Sequence, residues 1–478
     1  MSKVKILLGP PGTGKTTKLL SLLEEEIAKG IPLNRIGFVS FTTKAANEAK
    51  ERAAVKFNLP PEKFQYFKTI HALAFNWLNL STANVMARKN YKELFDSLDI
   101  EYRGKAIDED DTNTNTGASM GDKILFIQNL ASAKMTTLRD EWEESDFNEE
   151  VHWQELERFS RALAAYKESY GLVDFNDMLH WFLEKESTPY FDVLFIDEAQ
   201  DLSRLQWACI DKIIAACPKV FIAGDDDQAI FRWAGADVDR FIQLQGEATV
   251  LNHSYRLRKN IHQMCTSILD QVQHRREKEF NPRDLGGVVE FVNNVEDIDM
   301  SEGNWLLLAR NTYLLGYYEN LCLANGYSYT GRNSPLVSDE LAAIRAWEHY
   351  RKTGEMSDED LKLIKKYSRN PPTDREVIWH KQLSKMNYQL MEYFIAALRR
   401  GETLTKTPRI RISTIHGAKG AEAENVVIMS DMSNKCYESL INKGDDELRV
   451  AYVAVSRTRE NLYIVQPRTS NFFDYSSL

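Results

Sequence analysis

The sequence has few cysteines, and their placement excludes two common ways of holding a chain together. Its five cysteines are scattered over 478 residues, and none forms a Cys-x-x-Cys pair. A disulfide framework or a structural zinc site would need closer and more regular spacing. The nine histidines show no metal-ligand spacing either. We therefore expect a protein of the reducing cytoplasm, without disulfides or structural zinc.

Long hydrophobic runs, repeats and a basic excess are also missing. No apolar run approaches the roughly 20 residues of a membrane helix, so we expect no membrane contact. The net charge is −10, which by itself does not favour a nucleic-acid partner. A local groove can nevertheless be basic on an acidic body. With 43% apolar and 27% charged residues, the chain has a globular composition, and its length predicts two or more domains.

What the sequence does contain is a phosphate-binding loop. Segment 9–16, GPPGTGKT, matches G-x-x-x-x-G-K-[ST] at every fixed position. The apolar run at 4–8 predicts a short buried strand before it, and residues 17–23 predict a helix after it. A Gly/Pro turn that matches by accident would lack this order. The loop lies so near the first residue that we expect no signal or transit peptide.

The loop predicts a nucleoside triphosphate with Mg²⁺ as its ligand. Glycines allow backbone N–H groups to turn inward around phosphate oxygens, and the following helix adds positive potential. Lys15 would contact the β- and γ-phosphates, and the Thr16 hydroxyl would contact Mg²⁺. The residues predicted to bind the nucleotide here are Gly12, Thr13, Gly14, Lys15, Thr16 and Thr17.

Strand-like runs alternate with helical or polar segments, which predicts an α/β protein with parallel sheets. A first set lies at 36–40, 193–196 and 220–223, and a second at 287–292, 305–309, 410–413, 426–429 and 462–465. Two cores are therefore expected, with a break in the turn-rich stretch 281–287. Residues 80–170 and 335–405 predict helical insertions; the first includes the amphipathic set Leu156, Phe159, Leu163 and Tyr166. A polar loop at 108–121 is expected to be mobile.

Two further motifs follow predicted strands. Asp197 and Glu198 end the apolar run at 193–196. Asp197 would hold Mg²⁺ and Glu198 would polarise the attacking water, whereas an isolated Asp-Glu pair is usually only solvated. After 220–223, Gln228 could contact the γ-phosphate or its water. Phe231 and Trp233 could be a stacking platform for unpaired bases, although their spacing alone favours core residues.

The order of these segments resembles a superfamily 1 helicase of the UvrD/Rep/PcrA type. The segments that carry the resemblance are 41–46, 68–74, 172–179, 197–201, 224–228 with 233–236, 254–256, 414–422 and 447–458. The resemblance implies two RecA-like cores, 1A and 2A, with insertions 1B and 2B. Its boundaries would be 1–79 and 171–280 for 1A, 80–170 for 1B, 281–334 and 406–478 for 2A, and 335–405 for a reduced 2B.

The same resemblance implies roles at the nucleotide site. Arg256 and Arg457 would come from the second core and reach the triphosphate as arginine fingers, because a transferring phosphoryl group needs fixed cations. Tyr255 would stack on adenine, and Glu422 would hydrogen-bond the ribose. Without the family pattern, these residues would be interpreted as surface arginines, a core tyrosine and a solvated glutamate.

For nucleic acid, the resemblance implies base stacking on Phe41, Phe231 and Trp233. Arg310 would contact the strand's backbone, and Phe473 would be a further stacking aromatic. The remaining positions implied to contact the strand or to couple it to hydrolysis are Thr69, His71, Thr414 and His416. Stacking does not depend on base identity, which suits an enzyme that moves along any sequence.

The implied function is an ATP-dependent DNA helicase or translocase that moves 3′-to-5′ on single-stranded DNA. Expected partners are single strands, single-strand/duplex junctions and replication or repair proteins, and a monomer is expected. The alternatives are a single-strand translocase that displaces proteins with little unwinding, a regulatory protein with a vestigial ATPase, and an RNA helicase.

The chain departs from the family pattern at three places. It does not include an upstream glutamine segment that reads adenine, which leaves the choice between ATP and other triphosphates open. Its segment 335–405 is shorter than the usual 2B subdomain. Ala234 stands where the family usually has arginine, although Arg232 is near. Different residues could therefore couple the γ-phosphate to the DNA groove.

Overall fold

The protein, represented by a computed structural model, is described over residues 3–105, 107, 118–404 and 407–478. Most of the polar loop expected at 108–121 lies outside these residues. The chain divides into two compact units. The first unit comprises Met1–Leu257, Ile268–Asp284 and Ser439–Tyr452; the second unit comprises Arg258–Ser267, Leu285–Glu438 and Val453–Leu478. Each has a six-stranded parallel sheet, so the predicted α/β class with two parallel-sheet cores is confirmed.

The sheet of the first unit has the order β3-β2-β4-β5-β1-β6. The strands of this unit are β1 Lys3–Leu8, β2 Ile36–Ser40, β3 Phe67–Lys68, β4 Val193–Asp197, β5 Lys219–Gly224, β6 Glu247–Val250, and a separate pair, β7 His253–Arg258 and β8 Asn281–Arg283. The apolar runs of β2 and β4 are buried throughout, as expected for strands covered on both faces. Register pairs Leu8 with Gly224 and Ser40 with Asp197, which aligns the carboxyl ends.

Ten α-helices of the described residues precede β7. They are α1 Lys15–Ala28, α2 Thr43–Phe57, α3 Ile70–Trp77, α4 Arg88–Ser97, α5 Met120–Lys134, α6 Leu138–Glu144, α7 Trp153–Tyr170, α8 Phe175–Glu184, α9 Arg204–Ala215 and α10 Val238–Ile242. Helices α4 to α7 lie within the predicted insertion at 80–170 and share a hydrophobic core of their own. In it Leu156, Phe159 and Leu163 are buried on α7, and Phe159 stacks on Phe95 at 4.4 Å.

The sheet of the second unit has the order β11-β12-β10-β13-β14-β9. Its strands are β9 Val288–Val292, β10 Trp305–Ala309, β11 Tyr329–Thr330, β12 Ile410–Thr414, β13 Ala423–Met429 and β14 Thr458–Val465. The central strand β10 is buried at all five positions. Ala309 of β10 pairs with Thr414 of β12, so the chain segments that follow these strands start at one edge of the sheet.

Among the described residues from 259 onward, eight segments are α-helices. They are α11 Lys259–Leu269, α12 Leu315–Asn325, α13 Asp339–Thr353, α14 Asp358–Tyr367, α15 Trp379–Gln382, α16 Tyr388–Arg399, α17 Asn434–Lys443 and α18 Asp445–Val455. Helices α13 to α16 lie within the predicted insertion at 335–405. Their buried Trp347 and Phe394 belong to the same core as Leu307 of β10, so this insertion packs onto the sheet of its own unit. No helix among the described residues combines the length and apolarity needed to span a membrane.

Candidate active site

The phosphate loop joins β1 to α1 at the carboxyl edge of the first sheet. Gly12 and Gly14 have φ of 71° and 79°, a region in which an L side chain is strained. The Lys15 ammonium donates to the Gly9 carbonyl at 2.8 Å. A Cβ added to Gly9 would lie 1.9 Å from Lys15 Cγ, so the lysine stem lies directly over this glycine. The glycines thus give the loop its curvature and its room for the lysine.

The Asp-Glu motif at the end of β4 meets this loop. Thr16 Oγ1 donates to Asp197 Oδ2 at 2.9 Å, although the two residues are 181 positions apart. Lys15 Nζ lies 4.0 Å from Glu198 Oε1. The structure therefore brings together the four residues that were predicted to bind phosphate and metal and to activate water.

Burial makes the charge on Asp197 costly. The residue is only 4% exposed. Burial, helped by the neighbouring Glu198 charge, raises the pKa of Asp197 to about 6, while Lys15 and the Thr16 hydroxyl act in the opposite direction. A desolvated carboxylate beside a hydroxyl oxygen is the hard-oxygen donor set that suits Mg²⁺. Thr16 and Asp197 therefore fit the predicted metal role.

Strand β7 is fastened to the phosphate loop by two hydrogen bonds. Ser254 Oγ donates to the Pro11 carbonyl at 2.7 Å, and the Tyr255 N–H donates to the Gly12 carbonyl at 2.8 Å. Ser254 is fully buried. The sequence pointed to this segment only through its resemblance, and it assigned Ser254 no role.

The expectation that Arg256 comes from the second core was wrong. Arg256 lies on β7 in the first unit, where its Cβ would be 2.4 Å from a Cβ added to Gly12. The cause is that β7 follows β6 after only two residues and stays beside the loop. The Tyr255 side chain is 70% exposed, which excludes the alternative of a core tyrosine.

Gln228 belongs to a polar network at the ends of β4 and β5. Its Nε2 donates to Asp225 Oδ2 at 2.6 Å. The Asp225 N–H donates to Gln200 Oε1 at 3.0 Å, and Gln200 Nε2 donates to Glu198 Oε2 at 2.7 Å. Gln200, completely buried, thus connects the two motifs. Sequence reasoning missed its role, because only the fold shows that β4 and β5 are neighbours.

Three of the predicted stacking aromatics lie in two ring pairs of the first unit. Phe41 stacks on Phe231 with ring centroids 6.0 Å apart, and Trp233 stacks on Phe126 of α5 at 6.3 Å. Phe41, Phe231 and Trp233 are all half-buried. They are therefore neither ordinary core residues nor fully exposed ones. Phe126, which the sequence did not single out, supports the Trp233 ring.

Thr69 and His71 lie at the start of α3. Thr69 caps the helix, because its Oγ1 accepts the Ala72 N–H at 3.2 Å. The His71 ring packs edge-on against Phe175, with centroids 5.7 Å apart. Burial lowers the pKa of His71 to about 4, so its ring is neutral at neutral pH.

In the second unit, the predicted strand-contacting residues share one sheet edge. Arg310 follows β10 and is buried, at 3% exposure. The Ile415 N–H donates to the Ala309 carbonyl at 3.1 Å. The segment 414–416 therefore starts beside Arg310, where β10 and β12 end. Thr414 Oγ1 accepts the Gly417 N–H at 3.1 Å. Their predicted contact with nucleic acid stays a prediction.

Arg457 and Glu422 also lie in the second unit. The Arg457 guanidinium is buried and donates to the Val453 carbonyl at 3.0 Å and to Ser456 Oγ at 2.8 Å. Glu422 pairs with Arg459, whose Nε donates to it at 2.8 Å. Phe473 is 6% exposed, which is the burial of a core residue. The roles predicted for Arg457 and Glu422 stay predictions.

Comparison with known proteins agrees with this geometry. A "UvrD/REP helicase N-terminal domain" model matches residues 2–249, and a "UvrD-like helicase C-terminal domain" model matches residues 349–469. A "Probable DNA helicase" of Mycoplasma pneumoniae is 23% identical, over 99% of this chain and 82% of that protein.

Two other relatives are longer than the region they share with this chain. "ATP-dependent DNA helicase PcrA" of Leuconostoc citreum is 25% identical over 56% of this chain and 37% of its own length. "ATP-dependent DNA helicase Rep" of Buchnera aphidicola is 23% identical over 65% of this chain and 48% of its own length. The chain thus spans less than half of these two relatives. The first family model alone matches more than half of the residues of this chain. The chain therefore belongs to the UvrD/REP helicase family.

Proposed function

We propose that the protein is an ATP-dependent DNA helicase or translocase that moves 3′-to-5′ on single-stranded DNA and acts at single-strand/duplex junctions. The observation that carries the proposal is the meeting of Lys15 and Thr16 with Asp197 and Glu198 at one sheet edge. Family membership and the DNA-helicase names of the relatives support DNA as the partner. The 3′-to-5′ direction rests on the family resemblance.

In the proposed hydrolysis, the loop N–H groups and Lys15 bind the phosphates, and Thr16 with Asp197 holds the metal. Mg²⁺, when bound, supplies positive charge to the phosphate oxygens. Glu198 polarises the attacking water, which Gln228 orients. Arg256 and Arg457 are the proposed arginine fingers. Tyr255 is proposed to stack on the base and Glu422 to bind the ribose.

For the nucleic-acid strand, the proposed contacts come from both units. In the first unit, Phe41, Phe231 and Trp233 would stack on bases. Because stacking works on every base, it provides binding without sequence preference. The other proposed contacts are Thr69, His71, Arg310, Thr414 and His416.

The test is ATP turnover with and without single-stranded DNA, and with single-stranded RNA as comparison. We expect stimulation by DNA, and we expect Lys15→Ala to abolish turnover while its circular dichroism stays that of the wild type. No turnover in the wild type would contradict the proposal and favour a vestigial ATPase. Stimulation by RNA alone would favour an RNA helicase instead.

A second candidate function is a translocase that removes proteins from single strands and unwinds duplex poorly. The observation that favours it is the small insertion at 335–405, whose helices α13 to α16 pack onto the sheet of their own unit. Unwinding of a forked duplex should be compared with displacement of streptavidin from a biotinylated single strand. Efficient displacement with little unwinding would support this function, and efficient unwinding would contradict it.

A further inference from the structure

A buried lysine outside the motifs described above contacts three carboxylates next to the proposed active site. Lys278 Nζ lies 2.5 Å from Asp226 Oδ1, 3.0 Å from Asp227 Oδ2 and 3.4 Å from Asp225 Oδ1. All four side chains are at most 1% exposed. A buried charge in such a place is stable only when it is paired and hydrogen-bonded.

The cluster contains further hydrogen bonds, and Lys278 lies within 4 Å of a carboxylate oxygen of each of the three aspartates. Arg275 makes a two-pronged contact with Asp227 at 2.8 and 2.6 Å. The Arg276 N–H donates to Asp226 Oδ2 at 2.8 Å. Although burial lowers the pKa of Lys278, the charges of the three aspartates outweigh it and raise that pKa above its usual value. The ammonium therefore stays charged and offsets part of the negative charge of the three aspartates.

Two hydrogen-bonded paths connect this cluster to the catalytic groups. Asp225 Oδ2 accepts the Gln228 amide at 2.6 Å, and the Asp225 N–H donates to Gln200, which binds Glu198. Loss of the ammonium would leave three buried carboxylates facing Arg275. They would be relieved by protonation or by movement of the loop 225–228, and either change disturbs the acceptor that holds Gln228.

We propose that Lys278 is a positioning residue for ATP hydrolysis, which fixes Asp225 as the acceptor that orients Gln228. The inference rests on the proposed function, because it assigns Lys278 a part in that same reaction. Lys278 acts from behind the site: its contacts are the aspartates that follow β5, not the phosphate loop. Its loss should therefore affect turnover more than nucleotide binding.

The test is the steady-state kinetics of Lys278→Met, a variant of similar length without charge. We expect kcat for ATP to fall about tenfold or more, because orientation of the attacking water is lost. We expect KM for ATP and the Kd for ADP to change by less than about threefold, since the binding loop keeps its contacts.

The matched control is Lys219→Met. Lys219 begins β5 at the opposite end of the same strand and pairs with the buried Glu26 at 2.9 Å. The Lys219→Met substitution removes an ion pair with a buried carboxylate at the end of β5 that lies away from the proposed site. We expect Lys219→Met to lower the unfolding temperature while keeping the wild-type kcat, which separates a positioning role from general destabilisation.

A folded Lys278→Met with wild-type kcat would overturn the inference, as would equal losses of kcat in both lysine variants. If Lys278→Met does not fold, Lys278→Gln keeps N–H donors in the cluster; the same loss of kcat at unchanged KM is expected, and wild-type kcat overturns the inference. A wild-type protein without ATP turnover would instead contradict the proposed function, so the two failures are distinguishable.

Discussion

Single side chains near the first sheet's carboxyl edge differ in how burial affects their charge. Burial raises the pKa of Asp197 to about 6 and lowers that of His71 to about 4. Asp227 is as buried as Asp197, yet contact with Arg275 and Lys278 outweighs burial and lowers its pKa. Each shift has a named neighbour or desolvation as its cause, so sequence position alone would not have predicted it.

His71 should make the protein less stable as the pH falls. In the folded protein the His71 ring takes up a proton with a pKa of about 4, whereas the usual histidine pKa is 6.5. Between these values the unfolded state binds more protons, so the free energy of unfolding decreases as pH falls from 6.5 to 4, by about 3 kcal/mol at most. Urea unfolding at several pH values, with His71→Gln as comparison, measures this contribution.

The His71→Gln variant cannot take up the proton, so its stability should fall less over the same pH interval. Identical pH dependence of the two proteins would show that His71 is protonated equally in the folded and unfolded states. At neutral pH, where His71 is uncharged, any contact with a nucleic-acid strand would be by hydrogen bonding or ring packing rather than by ion pairing.

At the level of elements, the phosphate loop depends on its contact with β7. Ser254 and Tyr255 hold two loop carbonyls, and Arg256 passes directly over Gly12. The loop is therefore enclosed by β1 and α1 on one side and by β7 on the other. This explains why Gly12 has two reasons to be glycine: its positive φ and the absence of space for a side chain.

Gly12→Ala and Gly30→Ala form a matched pair that separates these two reasons. Both positions have positive φ, of 71° and 90°, but a Cβ at Gly30 would meet nothing within 4 Å. Gly30→Ala should cost about 1 kcal/mol of stability and keep ATP turnover. Gly12→Ala should cost more and raise KM for ATP at least about tenfold, because β7 or the loop must move. Equal effects in both would contradict the enclosed loop.

The aromatic pairs bring together rings from different elements, and their proposed role in base stacking can be measured. Trp233 is half-buried and rests on Phe126. If Trp233 stacks on bases, Trp233→Ala should lower DNA-stimulated ATP turnover about tenfold or more and basal turnover much less, since base stacking contributes about 1–3 kcal/mol.

Trp77→Ala provides the control for loss of a half-buried tryptophan. Trp77 ends α3 and donates its indole N–H to the Ser187 carbonyl at 3.2 Å. We expect it to affect stability and not the ratio of stimulated to basal turnover. If Trp233→Ala lowers both rates equally, the ring is better described as part of the core.

At the level of the whole molecule, two units each have their own parallel sheet and hydrophobic core. The phosphate loop, Asp197, Glu198 and Gln228 all belong to the first unit, whereas Arg310, Thr414, His416, Glu422 and Arg457 belong to the second unit. The two units should therefore respond differently to a ligand held mainly by the loop.

Mg²⁺-ADP should protect the first unit more than the second. At about 100 times its Kd, a ligand stabilises the form that binds it by about 2.7 kcal/mol. We expect slower amide exchange in β1, β4 and β5 than in the free protein, with smaller changes in β10, β12 and β13. Hydrogen–deuterium exchange with mass spectrometry measures this, and Lys15→Ala should abolish the effect. Equal protection of both sheets would contradict it.

Much of the fold could be predicted because local patterns report local structure. Apolar runs such as 36–40 and 305–309 coincide with the bounds of β2 and β10. The glycines and Lys15 identified the phosphate loop without any tertiary information. Gln200, Ser254, Phe126 and Lys278 were missed, since each acts through a neighbour that is distant in the sequence.

The sequence by itself determined the two α/β cores, the phosphate loop and the order of the motifs, because strand and loop propensities depend on neighbouring residues. Only the tertiary structure decided that Thr16 bonds Asp197, that Arg256 belongs to the first unit, and that Lys278 holds three aspartates. These contacts depend on strand order, which places the ends of β1, β4 and β5 side by side. A charge that such an arrangement buries is stable only when it is paired and hydrogen-bonded.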